Sequence, residues 1–325
     1  MDTPSTMKPA AVAAAMVQHG VAKHKDRYES VFIKALAGVY LSFGGLIFEI
    51  TSGGAASLTQ NDPGIIKVLS AFTFPVGLVM IVLTGQELLT SNMMVMPMAA
   101  IKGAIPWWSI PINWLIVTFG NLVGSLFFAA ILVRCQSFVI VARCARLTYT
   151  RFLFSDSGIV SAEPYRTSIQ MFAIHKAADP EWHQIFLRGI GCNWLVCIAV
   201  WQAAGAKETI SKIFAIWIPI WVFVACGYDH VVANMFSVPL GIMFGADLTV
   251  AEYIRKSFIA AYLGNIIGAL FVGMPAVYFY LSDYDAGGMR QAENGEVLNE
   301  RNLTMEQPPS RDDSARSDDT TEIKH

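Results

Sequence analysis

Asp229, His230 and Asn234 stand inside one long apolar run, in the stretch Gly227-Tyr228-Asp229-His230-Val231-Val232-Ala233-Asn234-Met235. Histidine has an unperturbed pKa of about 6.5, so it can hold or share a proton near neutral pH. The acid and the amide supply an acceptor and a two-way hydrogen-bonding group beside it. The surrounding run, residues 213–244, is too long and too hydrophobic for an ordinary soluble helix. Inserting an Asp or Lys at membrane depth costs about 2.5–3.5 kcal/mol, which makes such a group a functional candidate. The competing reading is a core histidine that only bonds a neighbouring helix.

A second polar island answers the first. Gly85-x-Glu87-x4-Asn92-Met93 matches Gly227-x-Asp229-x4-Asn234-Met235 at an offset of 142 residues (85 to 227). Gly120-Asn121-x2-Gly124-x-Leu126-Phe127 matches Gly264-Asn265-x2-Gly268-x-Leu270-Phe271 at 144 (120 to 264). Two matches at nearly one offset indicate an internal repeat. The GNxxG pairs also read as faces where helices approach closely, with asparagines that act as interhelical glue or do something more. His230 has no counterpart, because its partner position holds Leu88.

The elements that must position these groups follow from composition. The chain has 325 residues, 54% hydrophobic and 15% charged, with a mean hydropathy of +0.47. Soluble domains carry about 25% charged residues, so this is a bilayer composition. Apolar runs of spanning length, roughly 20 residues, occur at 31–50, 65–98, 110–133, 185–204, 213–244 and 258–281. The second and fifth are overlong and carry the polar islands. Irregular backbone at membrane depth must line a cavity or be buried in protein, and broken helices at matching places in two halves point to a transport site. The expected fold is an all-α membrane protein with six transmembrane helices, in an inverted 3+3 repeat with broken second and fifth helices.

The expected division is a cytosolic segment at 1–30, the transport domain at 31–283, and a disordered cytosolic tail at 284–325. The first thirty residues lack the basic start, apolar middle and cleavage site of a signal peptide. The basic cluster Lys23-His24-Lys25-Asp26-Arg27, and Lys102, place both termini in the cytosol. Arg134, Arg143, Arg146, Arg151 and Arg166 then face outward, where a basic rim would gather anions. Segments 135–152 and 167–177 read as amphipathic interfacial helices. Residues 293–325 are charged and nearly free of aromatics, a disordered composition in which Ser310 and Ser314 are candidate phosphorylation sites.

A net charge of −2 without a basic stripe argues against nucleic acid. Five cysteines, an odd count, read as buried thiols rather than a disulfide framework. No nucleophile–base pair, Walker loop or metal-ligand spacing occurs, so the chain is read as a non-enzyme with no cofactor or metal. Glu49 and Arg188 fall inside spans one and four, as a possible pair.

Three segments carry a resemblance: Gly85-Gln86-Glu87-Leu88-Leu89-Thr90-Ser91, Asn193-Trp194-Leu195-Val196-Cys197-Ile198-Ala199-Val200-Trp201, and the stretch 227–235. In order and spacing they resemble the hallmark segments of the formate/nitrite transporter family, over all six spans, and look most like its fungal nitrite members. The resemblance implies an aquaporin-like protomer, a homopentamer and a pore in each protomer. It implies an outer constriction at Phe74, Leu78 and Phe223 and an inner one at Leu88, Leu89 and Val196. Thr90, Asn193 and His230 would lie between, with Lys176 in the vestibule. One departure is the spacing from Lys176 to Asn193, one residue longer than in bacterial members.

The residue types suit this arrangement. Two apolar rings exclude hydrated ions, and His230 can share a proton with an anion between them. Thr90 and Asn193 can donate hydrogen bonds to it, while Glu87, Asn92, Asp229 and Asn234 shape the helix breaks. The expected function is plasma-membrane transport of a small monovalent anion, nitrite first, linked to protons through His230. Formate is the alternative. A pore for water or neutral solutes explains His230 and Lys176 poorly, and an embedded redox or enzyme subunit would want more ligands on neighbouring spans.

Overall fold

The computed structural model describes residues 6–133 and 157–282, and the backbone of 284–285 and 288–289. The expected helix at 135–152, Arg134, Arg143, Arg146 and Arg151, and the tail with Ser310 and Ser314 lie outside these residues. The body is helical. Helix α1 is Pro9–Lys25, α2 Tyr28–Gly53, α3 Pro63–Leu83, α4 Leu89–Ile101 and α5 Ser109–Val133. Helix α6 is Tyr165–Ala177, α7 Trp182–Gly205, α8 Thr209–Ala225, α9 Val231–Met243 and α10 Val250–Tyr280. Beyond residue 282, Tyr284–Asp285 pairs antiparallel with Gly288–Met289 as a separate unit.

Among the described residues, five helices (α2, α3, α5, α7 and α10) are long and apolar enough to cross a membrane. The run at 213–244, expected as a fifth span in sequence order, is two shorter helices, α8 and α9. Large apolar side chains point outward along the long helices, with Leu115 71% and Tyr278 75% exposed. Water would not tolerate so much greasy surface, whereas lipid or a neighbouring protomer would.

The half-helices α4 and α9 form the centre. Asn92 to Ala100 of α4 is buried throughout, as are Val231, Val232 and Asn234–Val238 of α9. Each is set off by glycines, which adopt a left-handed backbone without steric cost. Gly85 (φ 67°) and Gly227 (φ 73°) stop α3 and α8, and Gly103 and Gly245 stop α4 and α9. All four sit at the 142-residue offset, as do Pro97 and Pro239 inside the half-helices.

Close approach explains the GNxxG glycines. A Cβ on Gly120 would lie 2.5 Å from Ala35 Cβ, and one on Gly124 2.6 Å from Leu36 O. In the other half, Cβ atoms on Gly264 and Gly268 would lie 2.2 Å from Phe186 O and 2.3 Å from Ile190 O. Helix α5 thus seats on α2 as α10 seats on α7.

Helix α1 was not foreseen as part of this body. Its buried face carries Val12, Met16 and Val17 among small residues (Ala10, Ala13, Ala14, Gly20), and it packs on α4 where a Cβ on Gly20 would lie 2.6 Å from Ala99 Cβ. Helix α6 packs on α9 in the same manner, with Ala173 Cβ 2.2 Å from where a Cβ on Gly241 would be. Each half therefore begins with a helix laid against its own half-helix.

Candidate functional site

The two breaks, Thr84–Leu88 and Cys226–His230, are built alike. Gln86 N–H donates to Ile81 O at 3.0 Å and Tyr228 N–H to Phe223 O at 3.2 Å, each closing a wide last turn. Asn121 donates Nδ2–H to Ala35 O (2.7 Å) and Glu87 O (2.9 Å), and its Oδ1 accepts from Leu89 N (2.9 Å). Asn265 donates to Gly189 O (2.8 Å) and Asp229 O (3.0 Å), and accepts from Val231 N (2.9 Å). These asparagines are brackets that satisfy the loose backbone of the breaks, a need that buried peptide groups impose.

The two acids are fastened by lysines. Glu87 takes Lys23 Nζ at 2.6 and 2.7 Å and Asn92 Nδ2 at 2.8 Å. Asp229 Oδ1 takes Lys176 Nζ at 3.0 Å and Asn234 Nδ2 at 3.4 Å, while Oδ2 is buried without a hydrogen-bond partner. Lys176 also donates to Gly227 O (3.0 Å) and Tyr228 O (2.9 Å). Lys23 was missed in the sequence. Its only trace is the repeated His-Lys dipeptide, His24-Lys25 and His175-Lys176, and the structure matches Lys23, not Lys25, to Lys176.

His230 is the N-cap of α9, and its Nδ1 accepts the N–H of Ala233 at 3.0 Å. A backbone N–H can only donate, so Nδ1 is bare and the proton of the neutral ring sits on Nε2. That nitrogen faces Thr90 Oγ1 at 2.9 Å, in the first turn of α4. One hydrogen bond thus joins the N-terminal ends of both half-helices, where their dipoles present positive partial charge.

Asn193 differs from its expected role. Its Nδ2 donates to Thr90 O (3.1 Å) and Asn265 O (2.8 Å), so it ties α7 to α4 and α10 rather than offering protons to an anion. Phe74 and Phe223 meet edge to face, with centroids 5.9 Å apart, and Phe223 lies 6.0 Å from the His230 ring. Leu78, Leu88, Leu89 and Val196 are all buried; Leu88 caps α4 and Leu89 begins it.

A cavity of about 320 Å³ opens on this centre from the Lys176 side, lined by Lys176, Glu49, Phe74, Phe223, His230 and Asn234 among others. Leu78, Leu88, Leu89, Val196, Thr90 and Asn193 are not in its wall. Lys176, the edge-to-face aromatic pair and the hydrogen-bonded His230 thus share one cavity wall. Such an arrangement can attract a small anion, strip its water and offer it a donor.

The comparisons agree. The profile described as Formate/nitrite transporter matches residues 10–279. A "Probable formate transporter" of Methanothermobacter thermautotrophicus is 35% identical over 267 residues, covering 78% of this chain and 89% of its own. The "Formate channel BtFdhC" of Bacillus thuringiensis is 34% identical, covering 82% and 93%. A solved structure, "Pentameric formate channel with formate bound", superposes with a TM-score of 0.60 at 29% identity, covering 78% of this chain and 98% of that one. The protein is an integral membrane protein, and it belongs to the formate/nitrite transporter family.

Proposed function

We propose that the protein conducts a small monovalent anion through its own protomer, formate first and nitrite second. Formate is placed ahead of nitrite, the anion expected from the sequence, because relatives named as formate transporters and channels support it. The observation that carries the reading is the Thr90–His230 hydrogen bond, which joins two half-helix ends and holds His230 in the wall of the cavity that Lys176 also lines.

In this reading α8 and α9 together count as a fifth span, giving six spans in an inverted repeat. Lys176 draws the anion to the mouth. Phe74 and Phe223, with Leu78, form the outer constriction, and Leu88, Leu89 and Val196 the inner one. Apolar rings cannot replace a hydration shell, so a charged, hydrated ion is held back. Thr90 and His230 offer the hydrogen-bonding centre between them. Assembly is as a homopentamer in the plasma membrane, with both termini cytosolic and a proton moving with the anion.

The test is uptake of labelled formate and nitrite, side by side, into liposomes holding the purified protein, with and without a pH gradient. Both anions should enter above the rate of empty liposomes, with formate faster. Rates equal to empty liposomes for both would end the reading. If His230→Ala left uptake intact, the central role of that residue would be wrong.

A further inference from the structure

Glu49 is used by nothing described so far. It sits in α2, 1% exposed, in the wall of the 320 Å³ cavity, and its Oε2 is buried without a hydrogen-bond partner. Arg188, its possible partner from the sequence, does not line that cavity. The charged and titratable groups that share the wall are Lys67 from α3, His175 and Lys176 from α6, Tyr228 in the break before α9, and His230 at the start of α9. Lys176 makes its ion pair with Asp229, not with Glu49. An ammonium has three donors, and those of Lys176 are engaged with Gly227 O, Tyr228 O and Asp229 Oδ1.

A buried carboxylate with no partner is far costlier than a buried carboxylic acid. Glu49 is therefore suited to hold a proton inside the cavity. His230 is poorly suited to release one, because Nδ1 is taken by Ala233 N–H and Nε2 by Thr90 Oγ1.

We infer that Glu49 is the proton donor of this cavity, converting an arriving weak-acid anion into its neutral acid beside the Phe74–Phe223 pair that shares its wall. This rests on reading the cavity as an anion pathway. The Glu49 O–H bond breaks and an O–H bond forms on the anion, giving formic or nitrous acid; the one negative charge already brought into the cavity passes from the anion to the Glu49 carboxylate, and no second charge is buried. No electrons change hands. The carboxylate regains its proton from water at the mouth, where His175 is exposed and bonded to Asp179. The neutral acid crosses the apolar ring that the anion cannot.

The experiment is formate uptake by the full-length protein in liposomes, at external pH values from acid to neutral, for wild type, Glu49→Gln and Glu49→Asp. A positioned proton donor contributes roughly 10²–10⁴-fold, so Glu49→Gln should slow uptake by at least about tenfold and flatten its pH dependence. Glu49→Asp should retain pH-dependent uptake with a displaced midpoint. A Gln variant with wild-type rate and profile would overturn the inference. So would a Gln variant that is slower at every pH with an unchanged profile, since that is a packing defect. Should the Gln variant fail to fold, an Asp variant with an undisplaced midpoint would overturn it alone. A wild-type protein that carries neither anion would instead sink the pathway reading.

Discussion

Asn121 and Asn265 hold the same post in the two halves of the chain: each carboxamide donates twice to backbone carbonyls and accepts from the first N–H of a half-helix. Both are fully buried. The breaks exist because three peptide groups in each half have these side chains as partners in place of water.

Asn121→Ala and Asn265→Ala should each destabilise the protein severely. A buried donor or acceptor left without a partner costs about 1–3 kcal/mol, and each substitution orphans three groups. Asn121→Asp should fare little better, because a carboxylate cannot donate to Ala35 O and Glu87 O. Asn61→Ala, at an exposed position, is the control and should leave thermal unfolding in detergent unchanged. Equal unfolding temperatures for Asn121→Ala and Asn61→Ala would refute the bracket role.

Gly264→Ala should unfold earlier and give less folded protein, because the added Cβ would lie 2.2 Å from Phe186 O, a backbone atom that cannot move aside alone. Overpacking of this kind typically costs about 1–3 kcal/mol. Gly64→Ala, with nothing within 4 Å of the added Cβ, should be neutral. The same thermal assay compares them, and equal behaviour would mean that α10 and α7 are less closely seated than they stand here.

Much of this was legible in the sequence because the bilayer penalises polar groups. Glu87, Asp229 and His230 stand out against apolar runs, and glycines at 85 and 227 mark breaks whose left-handed backbone favours glycine. Helix α1 was not legible: its buried residues, Ala10, Val12, Ala13, Ala14, Met16, Val17 and Gly20, are mostly small, and its apolar run is too short to span a bilayer. Lys23 went unseen with it, since a lysine in a basic cluster reads as a solvated charge until α1 is packed on α4. The two-helix form of the run at 213–244 depends on Gly227 turning the chain, which shortens both halves below spanning length. For Asn193, spacing gave depth but not direction. Which carbonyls its amide would meet depends on where α4 and α10 lie.

Lys23→Ala should weaken the protein more than a surface ion-pair deletion would. The Glu87 side chain is 7% exposed and takes both short contacts from Lys23, so removing the lysine strands a buried carboxylate, typically at about 3–5 kcal/mol. Adding Glu87→Gln should recover part of that loss, because the stranded charge is gone. A double-mutant cycle on unfolding free energies measures the coupling. Additive effects would show that α1 is held to the body without this pair.

Thr90→Val and Thr90→Ser separate the hydrogen bond at the centre from the space it fills. Valine keeps the shape of threonine but gives His230 Nε2–H no acceptor, and an orphaned buried donor costs about 1–3 kcal/mol. Serine keeps the hydroxyl and loses only a methyl group. If the 2.9 Å bond to His230 holds the two half-helix ends in register for the anion, Thr90→Val should slow formate uptake by roughly tenfold, about what 1.4 kcal/mol is worth. Thr90→Ser should stay near the wild-type rate. Both variants should unfold within a few degrees of wild type, so that lost transport is not lost protein. Equal uptake by Val and Ser variants would show that Thr90 serves the centre only by filling space.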